Sequence, residues 1–184
     1  MSLIDPTQSS LMVIDIQQRL LPAVTEPKHT LSNAIDLVSV ANLLEIPVVY
    51  SEQYPKGLGP TEPSLMACFT DHTQRIEKSS FSCLGDPLGE RQIEDALTQR
   101  QIIVCGMETH VCVLQTVIEL LERHFEVFVV LDAVSSRREL DKKTAIARMR
   151  QCGAHIITKE MCLFEWLKTA NHEHFKTISK TYIR

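Results

Sequence analysis

QIIVCGMETHVCVLQTVIELL, residues 101–121, is the stretch whose reading decides the fold. It opens on the β-branched run Ile102-Ile103-Val104, breaks at Gly106, and resumes with Val113, Val117, Leu120 and Leu121 spaced as one face of a helix. That order is strand, tight turn, helix. Thr109 stands where an N-cap belongs, its hydroxyl expected to accept a hydrogen bond from an N–H two or three residues on. Cys112 then falls in the first helical turn, where the positive end of the helix dipole and unpaired amides favour thiolate over thiol. If the strand runs parallel to its neighbours, the turn opens into the crevice where open α/β sheets bind ligands. The alternative for Cys112 is a small buried hydrophobe, since free cysteine is among the most buried residue types. Five more cysteines stand at Cys68, Cys83, Cys105, Cys152 and Cys162.

The same alternation extends in both directions. Leu11-Met12-Val13-Ile14 is a short apolar run that ends at Asp15, and it reads as a buried first strand delivering a carboxylate to the crevice. Residues 31–44 repeat apolar positions at helical spacing. Ile46 to Tyr50 follows as a second strand with Pro47 at its start. Ser51 to Met66 holds Pro55, Gly57, Gly59, Pro60 and Pro63 and reads as a long loop of the kind that is often functional. Lys78 in TQRIEKSSFS lies near a short strand; taken alone it is an ordinary solvated lysine. Asp86 to Gln99 reads as a helix with Leu88, Ile93 and Leu97 inward. Phe125 to Leu131 is a strand ending at Asp132, Leu140 to Cys152 a helix, and Ala154 to Thr158 the last strand. Met161 to Lys168 and His174 to Tyr182 are terminal helices. Strands separated by helices, about five or six times over, give a three-layer α/β/α sandwich around a mostly parallel sheet, a Rossmann-like architecture.

A chain of 184 residues with 44% hydrophobic content is one domain spanning residues 1–184, large enough to bury a core without disulfides or a structural metal. Its net charge of −4 supplies no basic patch, which excludes nucleic acid as a partner. No segment approaches the roughly 18 consecutive apolar residues of a membrane span. The start MSLIDPTQSS lacks the shape of a signal peptide. Six cysteines without CxxC pairs fit reduced thiols in the cytoplasm.

Asp15 follows the first strand, Lys78 a strand near the middle and Cys112 the strand after that, so all three are expected to converge at one sheet edge. That chain order, with LMVIDIQ, EKSSFS and GMETHVCV, resembles the isochorismatase-like, or cysteine hydrolase, superfamily over nearly the whole chain. SEQYPKGLG at 51–59 and DAVSSR at 132–137 resemble in particular the subgroup called isochorismatase domain-containing protein 2. The resemblance implies that Cys112 attacks, Asp15 carries the proton, and Lys78 holds the charge and geometry of the site. It implies an oxyanion hole at the backbone N–H of Glu108 and Cys112, and a non-proline cis peptide at Met107–Glu108. The reaction implied is hydrolysis of a small amide or other C–N substrate through a thioester. The chemistry is consistent: a thiol needs a nearby acceptor to become nucleophilic, and amides at a helix start can meet a developing oxyanion.

Two departures narrow the expectation. Nicotinamidases in this family place an Asp-x-His metal motif after the second strand, whereas Ser-Glu-Gln-Tyr-Pro stands here, so neither a catalytic metal nor a cofactor is expected. True isochorismatases lack the cysteine that is present at 112. His172 and His174, two apart, fall on different helix faces and make no metal pair; His110 belongs to the site rim or to the surface. Gln17, Gln53, Tyr54 and Phe81 are the expected substrate contacts, with Leu20 and Leu21 near Phe81 as the alternative. The tail from Asn171 adds Phe175, Ile178, Tyr182 and Ile183, an apolar face expected to pair with another copy in a homo-oligomer unless it folds back on its own domain. A scaffold protein with little turnover is the second reading. A dinucleotide-binding oxidoreductase is the third, weakened because IDIQQRL stands where GxGxxG would follow the first strand.

Overall fold

Side chains alternate across a strand, and here both faces are apolar, so each strand feeds two cores at once. In the computed structural model, which describes residues 3–85, 91, 93, 97 and 99–183, β1 is Ser9–Ile14. Leu11 and Val13 enter one core; Met12 and Ile14 enter the other. The further strands are β2 (Val48–Gln53), β3 (Gln74–Lys78), β4 (Gln101–Met107), β5 (Glu126–Ser135) and β6 (His155–Ile157). They form a six-stranded sheet in the order β3-β2-β1-β4-β5-β6, with every pairing parallel. The three-layer architecture read from the sequence is the one observed.

The helices are α1 (Pro27–Leu43), α2 (Pro55–Leu58), α3 (Pro63–Met66), α4 (Leu114–Glu122), α5 (Glu139–Gln151), α6 (Lys159–Leu167) and α7 (Phe175–Thr181). α1, α6 and α7 cover the face of Leu11, Val13 and Ile103, with Trp166 fully buried there. α4 and α5 cover the face of Met12, Ile14 and Val104. Pro27 opens α1 because a first-turn residue needs no N–H partner. α6 starts on Thr158, whose hydroxyl accepts from Met161 N at 3.3 Å, while Asp132 Oδ1 accepts from Lys159 N at 2.8 Å.

Several local expectations change. β2 continues three residues past Tyr50, so Ser51, Glu52 and Gln53 are strand and not loop; β1 and β3 on either side supply partners for backbone that local composition left open. The loop after it contains α2 and α3. β4 runs through Gly106, where a side chain is impossible: φ is +126° and a Cβ would stand 2.0 Å from Ile14 O. The helix expected over 86–99 lies outside the described residues except at four positions, of which Ile93 and Leu97 are buried. The tail does not leave a free apolar face. Ile178 is buried, and Phe175, Tyr182 and Ile183 pack on the chain's own core. His172 and His174 precede α7 with their ring centroids 5.7 Å apart, so they do not occupy separate helix faces. Among the described residues no helix is long and apolar enough to cross a membrane.

Candidate active site

The site follows from parity and register. Val49 and Ile76 face the α4 side of the sheet, so Ser51, Gln53 and Lys78, at even spacing from them, face it too. Ile14 pairs with Ser51 on one side and Gly106 on the other, which aligns the carboxyl ends of β2, β1 and β4. Asp15 is the first residue beyond β1 and takes a left-handed φ of 51°, a conformation that aspartate tolerates better than most residues.

Asp15, Lys78 and Cys112 meet there. Lys78 Nζ lies 2.7 Å from Asp15 Oδ2, with both side chains fully buried. Nζ also donates to Gln53 Oε1 at 2.7 Å and to Phe81 O at 3.0 Å. Burial alone would depress the Lys78 ammonium, but the Asp15 carboxylate and the neighbouring Cys83 and Cys112 outweigh it, and its pKa is raised. Cys112 is 5% exposed. Burial, then the charge of the neighbouring Asp15, push its thiol well above the ordinary 9.0, with Lys78 opposing.

That last result corrects the expected resting thiolate. Cys112 rests as a thiol, because desolvation and a carboxylate neighbour outweigh the lysine and the helix start. The helix start itself is also different. Thr109–Val113 is a π-helical turn, a form frequent at functional sites, and α4 follows it. Glu108 occupies the cap position, and Thr109 Oγ1 is buried with no hydrogen-bond partner among the described residues, so Thr109 is not the N-cap. The peptide Met107–Glu108 is cis. The N–H groups of Val111 and Val113 are spent on Glu108 O.

The expected substrate contacts separate into two pairs. Gln17 is fully buried; its Nε2 donates to Gln53 O at 3.0 Å and Gly59 O at 2.6 Å, and its Oε1 accepts from Gln53 N at 2.8 Å. It staples the β2 loop and has both of its N–H donors committed there. Gln53 likewise spends its amide on Lys78 and, through Nε2, on Ser79 O at 2.8 Å. Tyr54 and Phe81, by contrast, are 59% and 55% exposed. Tyr54 N donates to Lys78 O at 2.9 Å, which holds this residue beside the lysine, although its ring lies against Gly57.

Ser51, Cys83 and Arg137, which the sequence did not single out for the site, complete the surroundings together with His110. Ser51 Oγ donates to Asp15 Oδ1 at 2.7 Å. Cys83 is fully buried beside Lys78 and Asp15, and its thiol is pushed up to about 11, mainly by burial. Arg137 clamps Glu108, with Nη2 2.6 Å from Oε1, Nε 3.0 Å from Oε2 and its backbone N 2.9 Å from Oε2. His110 Nδ1 lies 3.0 Å from Ser136 Oγ, tying it to the segment after β5. Alternation across β2 was the one available signal for Ser51; nothing local marks Cys83. A hollow of about 570 Å³ bordered by Arg100, Gln101, Glu126 and His155 lies at the opposite, amino-terminal ends of β4 to β6, away from this cluster.

Burial opposes the charge of Glu108, but its bonds to Arg137 prevail and hold the carboxyl below the ordinary 4.5. With the folded pKa below the unfolded one, this stabilisation is complete above pH 4.5 and is lost as the pH falls through the lower folded value. Glu108→Gln should therefore flatten the acid limb of stability. Urea midpoints at neutral pH and in acid check it; equal acid losses in parent and variant would remove the pair from the account.

Together these features define a three-layer α/β protein that gathers a carboxylate, an ammonium and a thiol at the carboxyl ends of its central strands. The Isochorismatase domain model matches residues 9–161, and the chain belongs to that family. It is 37% identical over 175 residues to isochorismatase domain-containing protein 2A of Mus musculus, covering 95% of this chain and 82% of that one. It is 38% identical over 172 residues to isochorismatase domain-containing protein 2 of Xenopus laevis, covering 94% and 82%. A structure described as MAR1 ribonuclease from Caenorhabditis elegans superposes with a TM-score of 0.92 at 36% identity, covering 100% and 93%. An octameric hydrolase of unknown specificity from Escherichia coli does so at 0.92 and 25% identity, covering 100% and 92%.

Proposed function

We propose that the protein is a cysteine hydrolase that cleaves a small amide or related C–N bond through a thioester on Cys112. The observation that carries this reading is the Asp15 carboxylate held between the Lys78 ammonium at 2.7 Å and the Cys112 thiol. Asp15 takes the thiol proton as Sγ attacks the carbonyl carbon, so charge moves to the carbonyl oxygen and no free thiolate accumulates. The N–H groups of Glu108 and Cys112 meet that oxyanion. Asp15 then passes its proton to the leaving nitrogen, the C–N bond breaks, and the thioester remains. Water attacks the thioester, Asp15 accepts the water's proton, and the departing Cys112 sulfur takes it back. Lys78 stays charged throughout and holds the Asp15 carboxylate in place between steps.

The small size of the substrate is supported by the burial of all three groups. The net charge of −4 argues against a polynucleotide, whatever the C. elegans relative acts on. Tyr54 and Phe81 wall the entrance and supply apolar faces for a planar polar group. We place the protein in the cytoplasm, in keeping with six free cysteines. We also place it in a homo-oligomer, now on the octameric relative alone, because the tail no longer offers a face.

Incubation with a panel of small primary amides, followed by ammonia release and acid-quenched mass spectrometry, tests the reading. An acyl adduct on the Cys112 peptide with loss of ammonia is expected. Turnover of any amide with no adduct under quench, and undiminished by alkylation of Cys112, would overturn it.

A further inference from the structure

Behind the Asp15 carboxylate lies a second layer of polar groups that no step above uses. Ser51 Oγ is 2.7 Å from Asp15 Oδ1, the oxygen that Lys78 does not contact. Cys83 N donates to Thr116 Oγ1 at 3.0 Å, and its fully buried thiol lies next to Ser51 and Thr116. Thr116 lies four residues after Cys112, about one turn further along the same side of the helix. All of these groups are buried.

The direction of the chain follows from what each group is able to do. An ionised carboxylate only accepts, so Ser51 spends its single O–H on Asp15. Cys83, buried beside Ser51, is tied through its backbone N–H to Thr116 on the helix that carries the nucleophile. We propose that Ser51 is the positioning residue for Asp15, held in register by Cys83 and Thr116, so that Oδ2 alone is left to Lys78 and to the Cys112 proton. This rests on the reading of Asp15 as the proton carrier. A carboxylate free to rotate would exchange the oxygen bonded to Lys78 for the one bonded to Ser51. The groups that bear on Asp15 are Ser51 from β2, Lys78 from β3, Cys83 from the segment after β3 and Cys112 from the helix start.

The test needs no substrate. The second-order rate of Cys112 modification by iodoacetamide is measured by peptide mapping across the pH range for the parent, Ser51→Ala, Ser51→Thr, Cys83→Val and Asp15→Asn. Loss of a hydrogen bond to the charged form of a carboxylate raises its pKa. Ser51→Ala should therefore move the acid limb of the profile up by roughly one pH unit and slow the rate about tenfold at pH values on that limb. Ser51→Thr, which keeps the hydroxyl, should restore both. Cys83→Val should move the limb in the same direction by less. A merely structural Ser51 would change the rate and leave the limb in place. An acid limb at the parental position in both Ser51→Ala and Cys83→Val, with Asp15→Asn altered, overturns the proposal and leaves the hydrolase reading standing. A parental profile in Asp15→Asn overturns that reading itself.

Discussion

Cys112→Ala is expected to cut amide turnover by on the order of 10⁴-fold or more in kcat/KM, because no other group near the carbonyl can form the acyl intermediate. Cys83 is the nearest alternative thiol, but it is fully buried and its proton is held by a pKa near 11. The fold should survive, since the substitution removes one sulfur from a packed cluster and leaves the Lys78–Asp15 pair intact. Asp15→Asn should lose a comparable factor for a different reason: Cys112 rests as a thiol, and without the carboxylate nothing beside it accepts the proton. Steady-state rates on the best amide of the panel, with circular dichroism as the control for folding, check both. A Cys112→Ala protein retaining a tenth of parental activity would exclude Cys112 as the nucleophile.

Lys78→Met is expected to cost stability as well as activity, by about 3–5 kcal/mol, since removing one partner of a buried ion pair leaves the other charge uncompensated. Here the orphan would be Asp15, with no exposure to water and with the Ser51 hydroxyl still bonded to it. Pairing Lys78→Met with Asp15→Asn should recover much of the loss, because no bare charge then remains. Methionine keeps the apolar stem, so the comparison isolates the ammonium. The pH dependence carries a sign that a packing defect lacks. The folded pKa of Lys78 is raised, so its stabilisation is whole below pH 10.5 and is lost as the pH rises through the folded value. The parent should show an alkaline limb in its urea midpoints that Lys78→Met does not. A variant that unfolds at the parental midpoint at neutral pH would show that the pair contributes nothing net.

The layered fold was legible because its strands are buried on both faces. Leu11 to Ile14 and Ile102 to Val104 are continuous apolar runs, the helices between them repeat at 3.6 residues, and parallel strands with intervening helices admit few topologies. Asp15 and Cys112 were legible for a related reason: each lies just beyond the end of such a run, where the chain must leave the sheet. Lys78 was not distinguishable from a solvated lysine by its own surroundings, and only the motif around it pointed inward. Ser51 and Gln53 were assigned to a loop, since the Pro- and Gly-rich segment that follows them resembles one, yet β1 and β3 hold them in strand. Gln53 is the last residue of β2 and turns to Lys78, whereas Tyr54 follows the strand with a left-handed φ of 37° and stays exposed.

By itself the sequence determined the order of elements, the two cores and the three residue types carried to one edge, because periodicity and burial are local properties of the chain. The tertiary structure alone decided the state of the site. The Lys78–Asp15 contact spans 63 positions and the Ser51–Asp15 contact 36. Strand register brings those groups within 2.7 Å, and burial then sets which of them holds the proton. Cys112 is therefore a thiol beside its base and not a free thiolate, a distinction made by desolvation and by neighbours that no local pattern of residues contains.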